Sequence, residues 1–205
     1  MPNEHHACPW WMGYFLLNPI RRLGQNPHAI LSPYVQKGMT VLEIGPGMGY
    51  FTLPLARMAG PGGRIISVDI QEKMISGLRK RAERAGLSDR IETRLTNYTS
   101  LGVGDLGGSI DFALAFAVVH EVPDQAALFR ELHAALKDGG LLLMADPSSR
   151  FSGGEYEKAV GFAADAGFCK IKEPGISRSR AALLKKEPGD HPGRQSSRAG
   201  RQPSA

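Results

Sequence analysis

Three glycines have the type and spacing that suit binding of a charged ligand. Gly45, Gly47 and Gly49 directly follow an apolar run, residues 40–44, and precede an amphipathic stretch. Glycines between a strand and a helix permit a tight turn and let the backbone approach a ligand without a Cβ in the way. The spacing therefore predicts a ligand-binding turn at the end of a first strand.

Two carboxylates accompany this turn. Glu43 stands just before the glycines, and Asp69 ends a second apolar run, residues 64–69, about 20 residues beyond the turn, where a carboxylate can accept hydrogen bonds from both ribose hydroxyls of an adenosine. Glu43 adds negative charge near the same crevice. That charge suits a cationic sulfonium and amino group, and it repels a pyrophosphate.

The glycine pattern also differs from that of dinucleotide-binding enzymes. Tyr50 occupies the position where the G-x-G-x-x-G pattern requires a third glycine. Together with Glu43, this favours S-adenosylmethionine over a nicotinamide dinucleotide as the cofactor.

The elements that must position these residues are visible as alternating apolar runs and amphipathic stretches. Strands are predicted at residues 40–44, 64–69, 91–95, 112–117 and 141–145, and helices at 51–59, 72–85, 125–136 and 155–166. Residues 169–172 and 181–185 predict an antiparallel hairpin at the sheet edge. The pattern predicts an α/β fold, Rossmann-like and doubly wound, with a mostly parallel sheet.

Composition limits the domain organisation and the partners. A chain of 205 residues with 42% apolar content accommodates one sizeable core, and the net charge of +5 is scattered in short clusters, a weak case for nucleic-acid binding. Two cysteines, no signal-like segment and no apolar run long enough for a membrane span predict a cytoplasmic protein without a membrane anchor. We predict an N-terminal aromatic segment at 1–37, a cofactor-binding domain at 38–186 and a disordered tail at 187–205. No feature of the sequence indicates an oligomeric state.

Four successive motifs carry a family resemblance. The segments EIGPGMG, IISVDI, IDFALAFAVVHEV and GGLLLMADP resemble the motifs of class I S-adenosylmethionine-dependent methyltransferases. The resemblance implies that the methionine moiety is lined by Glu43, Gly45, Gly47 and Gly49, that Asp69 holds the ribose, and that Asn97 and Ala117 contact the rest of the cofactor. Asn97 stands where the family often has an acidic residue near the adenine amino group.

The acceptor side has fewer signals. His120, immediately after the fourth strand, is the best placed general base if the acceptor must lose a proton, although it can equally pack or cap the following helix. Trp10, Trp11 and Tyr14 can form an apolar or cation-binding wall over the acceptor, or anchor a helix on the domain surface.

The N-terminus also contains His5, His6 and Cys8, which lack a fourth ligand at recognisable spacing, so we predict no metal site. The Asn/Asp-Pro-Pro-aromatic motif of amino-methylating nucleic-acid enzymes is missing after the fourth strand, where residues 115–118 read Ala-Phe-Ala-Val. The leading hypothesis is therefore methyl transfer from S-adenosylmethionine to a small-molecule acceptor. The alternatives are a methyltransferase acting on RNA or protein, and a non-catalytic S-adenosylmethionine-binding protein.

Overall fold

The computed structural model describes residues 24–188, which form one seven-stranded sheet with helices on both faces. The strands are β1 (Thr40–Ile44), β2 (Arg64–Asp69), β3 (Ile91–Leu95), β4 (Ile110–Phe116), β5 (Leu136–Pro147), β6 (Phe168–Lys172) and β7 (Ser179–Lys186). The helices are α1 (Pro27–Leu31), α2 (Thr52–Ala59), α3 (Glu72–Arg84), α4 (Gln125–Ala135) and α5 (Gly153–Asp165), with short 3-10 turns at Gly104–Leu106 and Val119–Glu121.

The strand order is β3-β2-β1-β4-β5-β7-β6. The first five strands are parallel, whereas β7 runs antiparallel to both β5 and β6. The chain thus winds outward from β1 in one direction to β3 and in the other to β5, and the hairpin of β6 and β7 closes that second edge. The predicted α/β fold class, with its mostly parallel sheet and antiparallel edge hairpin, is confirmed.

Local sequence signals explain several of the helix boundaries. Ser152 and Glu155 form a reciprocal capping box at the start of α5, and the Asp124 carboxylate accepts a hydrogen bond from the Ala127 amide at the start of α4. Gly86, just past α3, has a φ of 64° and so ends that helix as predicted.

Two elements differ from the sequence-based prediction by more than two residues. β5 begins at Leu136 rather than 141, because Leu136 pairs with Ile110 and the strand continues past an irregularity in register that includes Gly139-Gly140. Helix α1 was not predicted, since five residues are too few to show a helical period. Its signals are an Asn26 cap and Pro27 in the first turn.

The two faces of the sheet bury separate apolar layers. One layer packs α4 and α5 against the sheet, and the other packs α1, α2 and part of α3. Leu31 and Val35 are buried in the second layer, so the packed core extends N-terminal to the predicted boundary at residue 38. Of the predicted tail, Glu187 and Pro188 are described and the rest lies outside the described residues.

Within residues 24–188, no helix is both long enough and apolar enough to cross a membrane.

The loop between α2 and β2 provides a test of packing. A Cβ built on Gly63 would lie 2.4 Å from the Ala59 Cβ and 2.7 Å from the Ala59 carbonyl oxygen, whereas a Cβ on Gly62 would meet nothing within 4 Å. Because backbone cannot move aside as a side chain can, we expect Gly63→Ala to lower the free energy of unfolding by about 1–3 kcal/mol. The matched Gly62→Ala should change it by less than about 0.5 kcal/mol. Urea unfolding of the two variants measures this, and equal stabilities would contradict the packing described here.

Candidate functional site

A cavity among the described residues opens at the carboxyl ends of β1, β2 and β4. β1 lies between β2 and β4, so the chain leaves the sheet in opposite directions on the two sides of this point. Parallel sheets bind ligands at such a switch point. The lining comes mainly from the glycine turn and from the segments that follow β2, β3 and β4: residues 43–48, 68–71, 96–101, 116–118 and 121–124.

The glycine turn has the left-handed backbone that its sequence predicts. Gly45 has a φ of 65° and Gly47 a φ of 54°. A Cβ on Gly45 would lie 2.9 Å from a methyl group of Val118 across the crevice, whereas a Cβ on Gly47 would meet no protein atom within 4 Å. Gly47 therefore leaves its backbone exposed to the cavity, which is what close approach of a ligand requires.

Gly49 has a different role in the structure. It is not among the lining residues, and a Cβ built on it would lie 2.5 Å from a methyl group of Leu78 and 2.9 Å from one of Leu53. The third glycine thus lets α2 and α3 pack closely behind the turn.

Glu43 is buried at the end of β1 and lines the cavity. Its Oε2 atom accepts hydrogen bonds from the Thr52 hydroxyl at 2.6 Å and the Ser67 hydroxyl at 3.0 Å. Ser67 is the cross-strand neighbour of Glu43 on β2, and Thr52 begins α2. Burial raises the pKa of Glu43 to about 7 despite these two hydrogen bonds. The fold therefore holds a desolvated carboxyl group that a cationic ligand would stabilise.

Asp69 is the second buried carboxyl group of the cavity. It accepts a hydrogen bond from the Gln71 amide at 2.9 Å, and the amides of Gly47 and Ile70 also favour its charged form. Burial raises its pKa to about 6, and the nearby Glu121 carboxylate adds to this increase. The contact with Gly47 joins the end of β2 to the glycine turn.

Asn97 and Ala117 both line the cavity, as the family resemblance implies. The Oδ1 atom of Asn97 accepts hydrogen bonds from the Thr99 amide at 2.8 Å, the Thr99 hydroxyl at 2.7 Å and the Ser100 amide at 3.1 Å. This oxygen is therefore committed to its own turn, and the amide nitrogen is the group that remains for a ligand. Ala117 has a φ of 58°, which is unusual for a residue with a Cβ.

His120 lies beside the cavity rather than in its lining. Its Nδ1 atom is 2.5 Å from Oδ1 of Asp146, and its Nε2 atom is 3.7 Å from Oε1 of Glu121, which does line the cavity. Asp146 was not identified from the sequence. The available signal was a carboxylate near the end of a buried strand, which is the same signal that identified Asp69.

The acidic character of the whole cavity was also not predicted from the sequence. Its lining contains five acidic residues, and among the described residues that line it there is no lysine, arginine or histidine. The five are Glu43, Asp69, Glu121, Asp124 and Glu131. They are spread over 89 positions in a chain of net charge +5, so composition does not reveal that folding brings them together.

Trp10, Trp11 and Tyr14 lie outside the described residues, as do His5, His6 and Cys8. Gln25, near the start of the described chain, is next to the cavity: its carbonyl accepts a hydrogen bond at 2.9 Å from Tyr50, a lining residue. In residues 24–188 there is no group of three or more His, Cys, Asp and Glu side chains arranged to hold a metal ion.

The buried state of Glu43 predicts an unusual pH dependence. Because its pKa rises from the ordinary 4.5 to about 7, the folded chain retains this proton over a pH range in which the unfolded chain loses it. Stability therefore falls as the pH rises through that range, and Glu43→Gln should raise the free energy of unfolding of the ligand-free protein at pH 8 by up to roughly 3 kcal/mol. Near pH 4 the difference should disappear.

Urea unfolding at several pH values measures this effect. Replacement of the exposed Glu157 by Gln is the matched control and should give no comparable gain at pH 8. A gain for Glu43→Gln that does not depend on pH would show that the effect does not come from ionisation of this carboxyl group.

Comparison with known proteins agrees with this geometry. Residues 35–170 match a family model described as a methyltransferase domain. A ubiquinone biosynthesis O-methyltransferase of Dinoroseobacter shibae is 31% identical over 153 residues, which cover 68% of this chain and 59% of that protein. A ribosomal RNA small subunit methyltransferase A of Magnetococcus marinus is 30% identical over 155 residues, which cover 71% of this chain and 54% of that protein. The chain spans less than two thirds of the length of the curated relatives it matches.

The fold is shared with solved structures of low sequence identity. A SAM-dependent methyltransferase from Aquifex aeolicus superposes with a TM-score of 0.77 at 20% identity, covering 87% of this chain and 99% of that one. The match to the family model extends over more than half of the chain, from the residues before β1 into the hairpin. The chain therefore belongs to the class I S-adenosylmethionine-dependent methyltransferases, a family whose cofactor is S-adenosylmethionine.

Proposed function

We propose that the chain transfers a methyl group from S-adenosylmethionine to a small-molecule acceptor. The observation that carries this proposal is the acidic cavity at the carboxyl edge of the sheet. Its two most buried carboxyl groups, Glu43 and Asp69, both have raised pKa values caused first by burial. Burial of acidic groups without basic partners costs stability, and a cationic ligand would offset that cost.

The donor fits this cavity residue by residue. Glu43 would attract the positive charge of the donor. Thr52 and Ser67 hold the Glu43 carboxyl group in place. Asp69 would hold the ribose hydroxyls, and the open backbone at Gly47 would allow close contact. Asn97, with its oxygen engaged, would donate to a ring nitrogen of adenine, which differs from the contact made by an acidic residue.

Bound S-adenosylmethionine supplies an activated methyl group on a sulfonium, so the protein must mainly align the acceptor and exclude water. Phe116 and Val118 give the cavity apolar walls beside Ala117. Phe116 packs against Phe51 with ring centroids 4.3 Å apart, which fixes that wall. These residues would define the line of attack and keep the reacting atoms dry.

The acidic residues that line the cavity favour a neutral or cationic small acceptor. A nucleic acid would bring phosphates next to five acidic lining residues, and repulsion would oppose its approach. The resemblance to a ribosomal RNA methyltransferase keeps RNA as the alternative substrate. A protein that binds the donor without catalysis is the other alternative.

Donor selectivity is the first test. We expect S-adenosylmethionine and S-adenosylhomocysteine to raise the melting temperature, and NAD to leave it unchanged, because the lining residues within 24–188 include no basic side chain that could bind a pyrophosphate. Asp69→Asn should weaken donor binding by about 1–3 kcal/mol, or 5- to 150-fold in Kd, because a charged acceptor is lost. The exposed Asp165→Asn is the control, and calorimetry gives both values. Stabilisation by NAD alone would overturn the assignment of the cofactor.

The N-terminal aromatic residues provide a second test. Trp10, Trp11 and Tyr14 precede Gln25, which lies at the cavity rim, and we propose that they cover the acceptor. Triple substitution by alanine should lower methyl transfer at least tenfold and change donor Kd by less than about twofold, as expected for a segment that completes the acceptor pocket. Equal losses in binding and transfer would contradict a role confined to the acceptor.

A screen for methyl transfer tests the overall proposal. The full chain would be incubated with donor labelled in the methyl group, first with pooled metabolites and then with total RNA and with protein extract. Label transferred to a metabolite is the expected result. Label on RNA alone would instead support the nucleic-acid alternative, and donor binding without transfer to any pool would support the non-catalytic one.

A further inference from the structure

Two polar side chains near the carboxyl ends of β4 and β5, His120 and Asp146, have no part in the donor contacts proposed above. His120 lies in the 3-10 turn after β4, and Asp146 is the next-to-last residue of β5. The Asp146 side chain is 0% exposed and the His120 side chain 11% exposed. An aspartate is seldom buried so completely unless it has a partner.

Asp146 holds the histidine at two points. Its Oδ1 atom is 2.5 Å from the His120 Nδ1 atom and also accepts a hydrogen bond from the His120 backbone amide at 3.3 Å. Because a carboxylate accepts and does not donate, the ring proton of neutral His120 must reside on Nδ1. The Nε2 atom then carries a free lone pair.

The Nε2 atom is the unusual part of this arrangement. It is buried, and the described residues offer it no hydrogen-bond partner. The nearest charged group is the Glu121 carboxylate, at 3.7 Å, and Glu121 lines the donor cavity. A histidine that only packed or capped a helix would not need its second nitrogen directed toward a carboxylate at the cavity wall.

We propose that Glu121, His120 and Asp146 form a proton relay that takes the proton from the methyl acceptor. Glu121 faces the acceptor, and His120 receives the proton behind it. Asp146 is the positioning residue that fixes the imidazole and stabilises its cationic form. This inference rests on the proposed function, and it deepens that function by naming the acceptor class: molecules methylated at a hydroxyl or thiol group, which must lose a proton.

The reaction balances without another reactant. The O–H or S–H bond of the acceptor breaks, and the electron pair of that atom forms the bond to the methyl carbon. The methyl–sulfur bond of the donor breaks, and its electron pair remains on sulfur. The proton passes to the Glu121 carboxylate and then to Nε2 of His120, from which it returns to solvent after release of the products.

Two further charged residues lie near the relay. Glu155, in the first turn of α5, interacts electrostatically with His120, and Arg180 of β7 is the cross-strand neighbour of Asp146. The carboxylates of Glu121 and Asp146 complete the set of charged groups described around the imidazole.

Nuclear magnetic resonance of the full chain, labelled with ¹⁵N in histidine, tests the geometry without any acceptor. The ring signals that disappear in the His120→Gln variant are assigned to His120. We expect wild-type His120 at pH 8 to carry its proton on Nδ1, and Asp146→Asn to move protons onto Nε2 because an amide can donate to Nδ1. A wild-type ring protonated on Nε2, or a tautomer unchanged in Asp146→Asn, would overturn the proposal.

Turnover tests the chemistry with the acceptor found in the screen. Asp146→Asn, His120→Gln and Glu121→Gln should each lower kcat by about 10²–10⁴-fold. Asp146→Asn should leave donor Kd within about twofold of wild type. Asp138→Asn, an exposed carboxylate at the opposite end of β5, is the matched control and should retain full activity.

The experiments distinguish failure of the proton relay from failure of the proposed methyl transfer. Methylation of an atom that had no proton to lose, or equal turnover by Asp146→Asn and Asp138→Asn, would refute the relay while leaving methyl transfer intact. Absence of donor binding by the wild-type chain, read by calorimetry, would refute the proposed function itself.

Discussion

The burial of one carboxyl group, Glu43, organises the cavity. Its position at the end of β1 puts it under the glycine turn, beside a neighbouring strand and against the first residue of α2. Two hydroxyl groups satisfy one of its oxygens, yet its pKa still rises to about 7 because desolvation outweighs them. The folded chain alone therefore holds this group in an unfavourable state. Binding of a cation is the natural way to relieve it, so the fold and the ligand are linked through a single side chain.

The sequence revealed the parts of the site that depend on neighbours along the chain. The glycine turn and Asp69 have local signals, a strand followed by a turn residue, and β1, β2 and β3 lie at the predicted positions. Such signals are reliable because each one combines the period of a buried strand with a residue that ends it. Residues with purely local roles were thus found, including Gly86 at the end of α3.

The parts that sequence reasoning missed depend on distant contacts. The proposed role of Asp146 depends on its contact with His120, which is 26 positions away in the sequence. The hydrogen bond between these two side chains exists because β4 and β5 are neighbours in the sheet. The acidic lining similarly brings together side chains from strands, from turns and from helix α4 that are far apart in sequence. Gly49 is the converse case, because a local pattern implied contact with a ligand, whereas the structure uses its small size to pack Leu53 against Leu78. A pattern of residue types cannot distinguish these two uses of a missing side chain.

Ala117 has a left-handed backbone at the point where the chain passes from one apolar layer of the core to the other. Ala117 packs with the apolar layer of α1 and α2, and the next residue, Val118, packs with the layer of α4 and α5. An L-residue in this conformation costs on the order of 1–2 kcal/mol. Residues 113–116 of β4 alternate between the two layers, as strand residues do, but Phe116 and Ala117 share one layer and Val118 lies in the other. The left-handed backbone at Ala117 therefore breaks the alternation where β4 ends. The position accordingly favours residues with little or no side chain: glycine would relax it, whereas valine or isoleucine would add a branched Cβ to a backbone that already resists one.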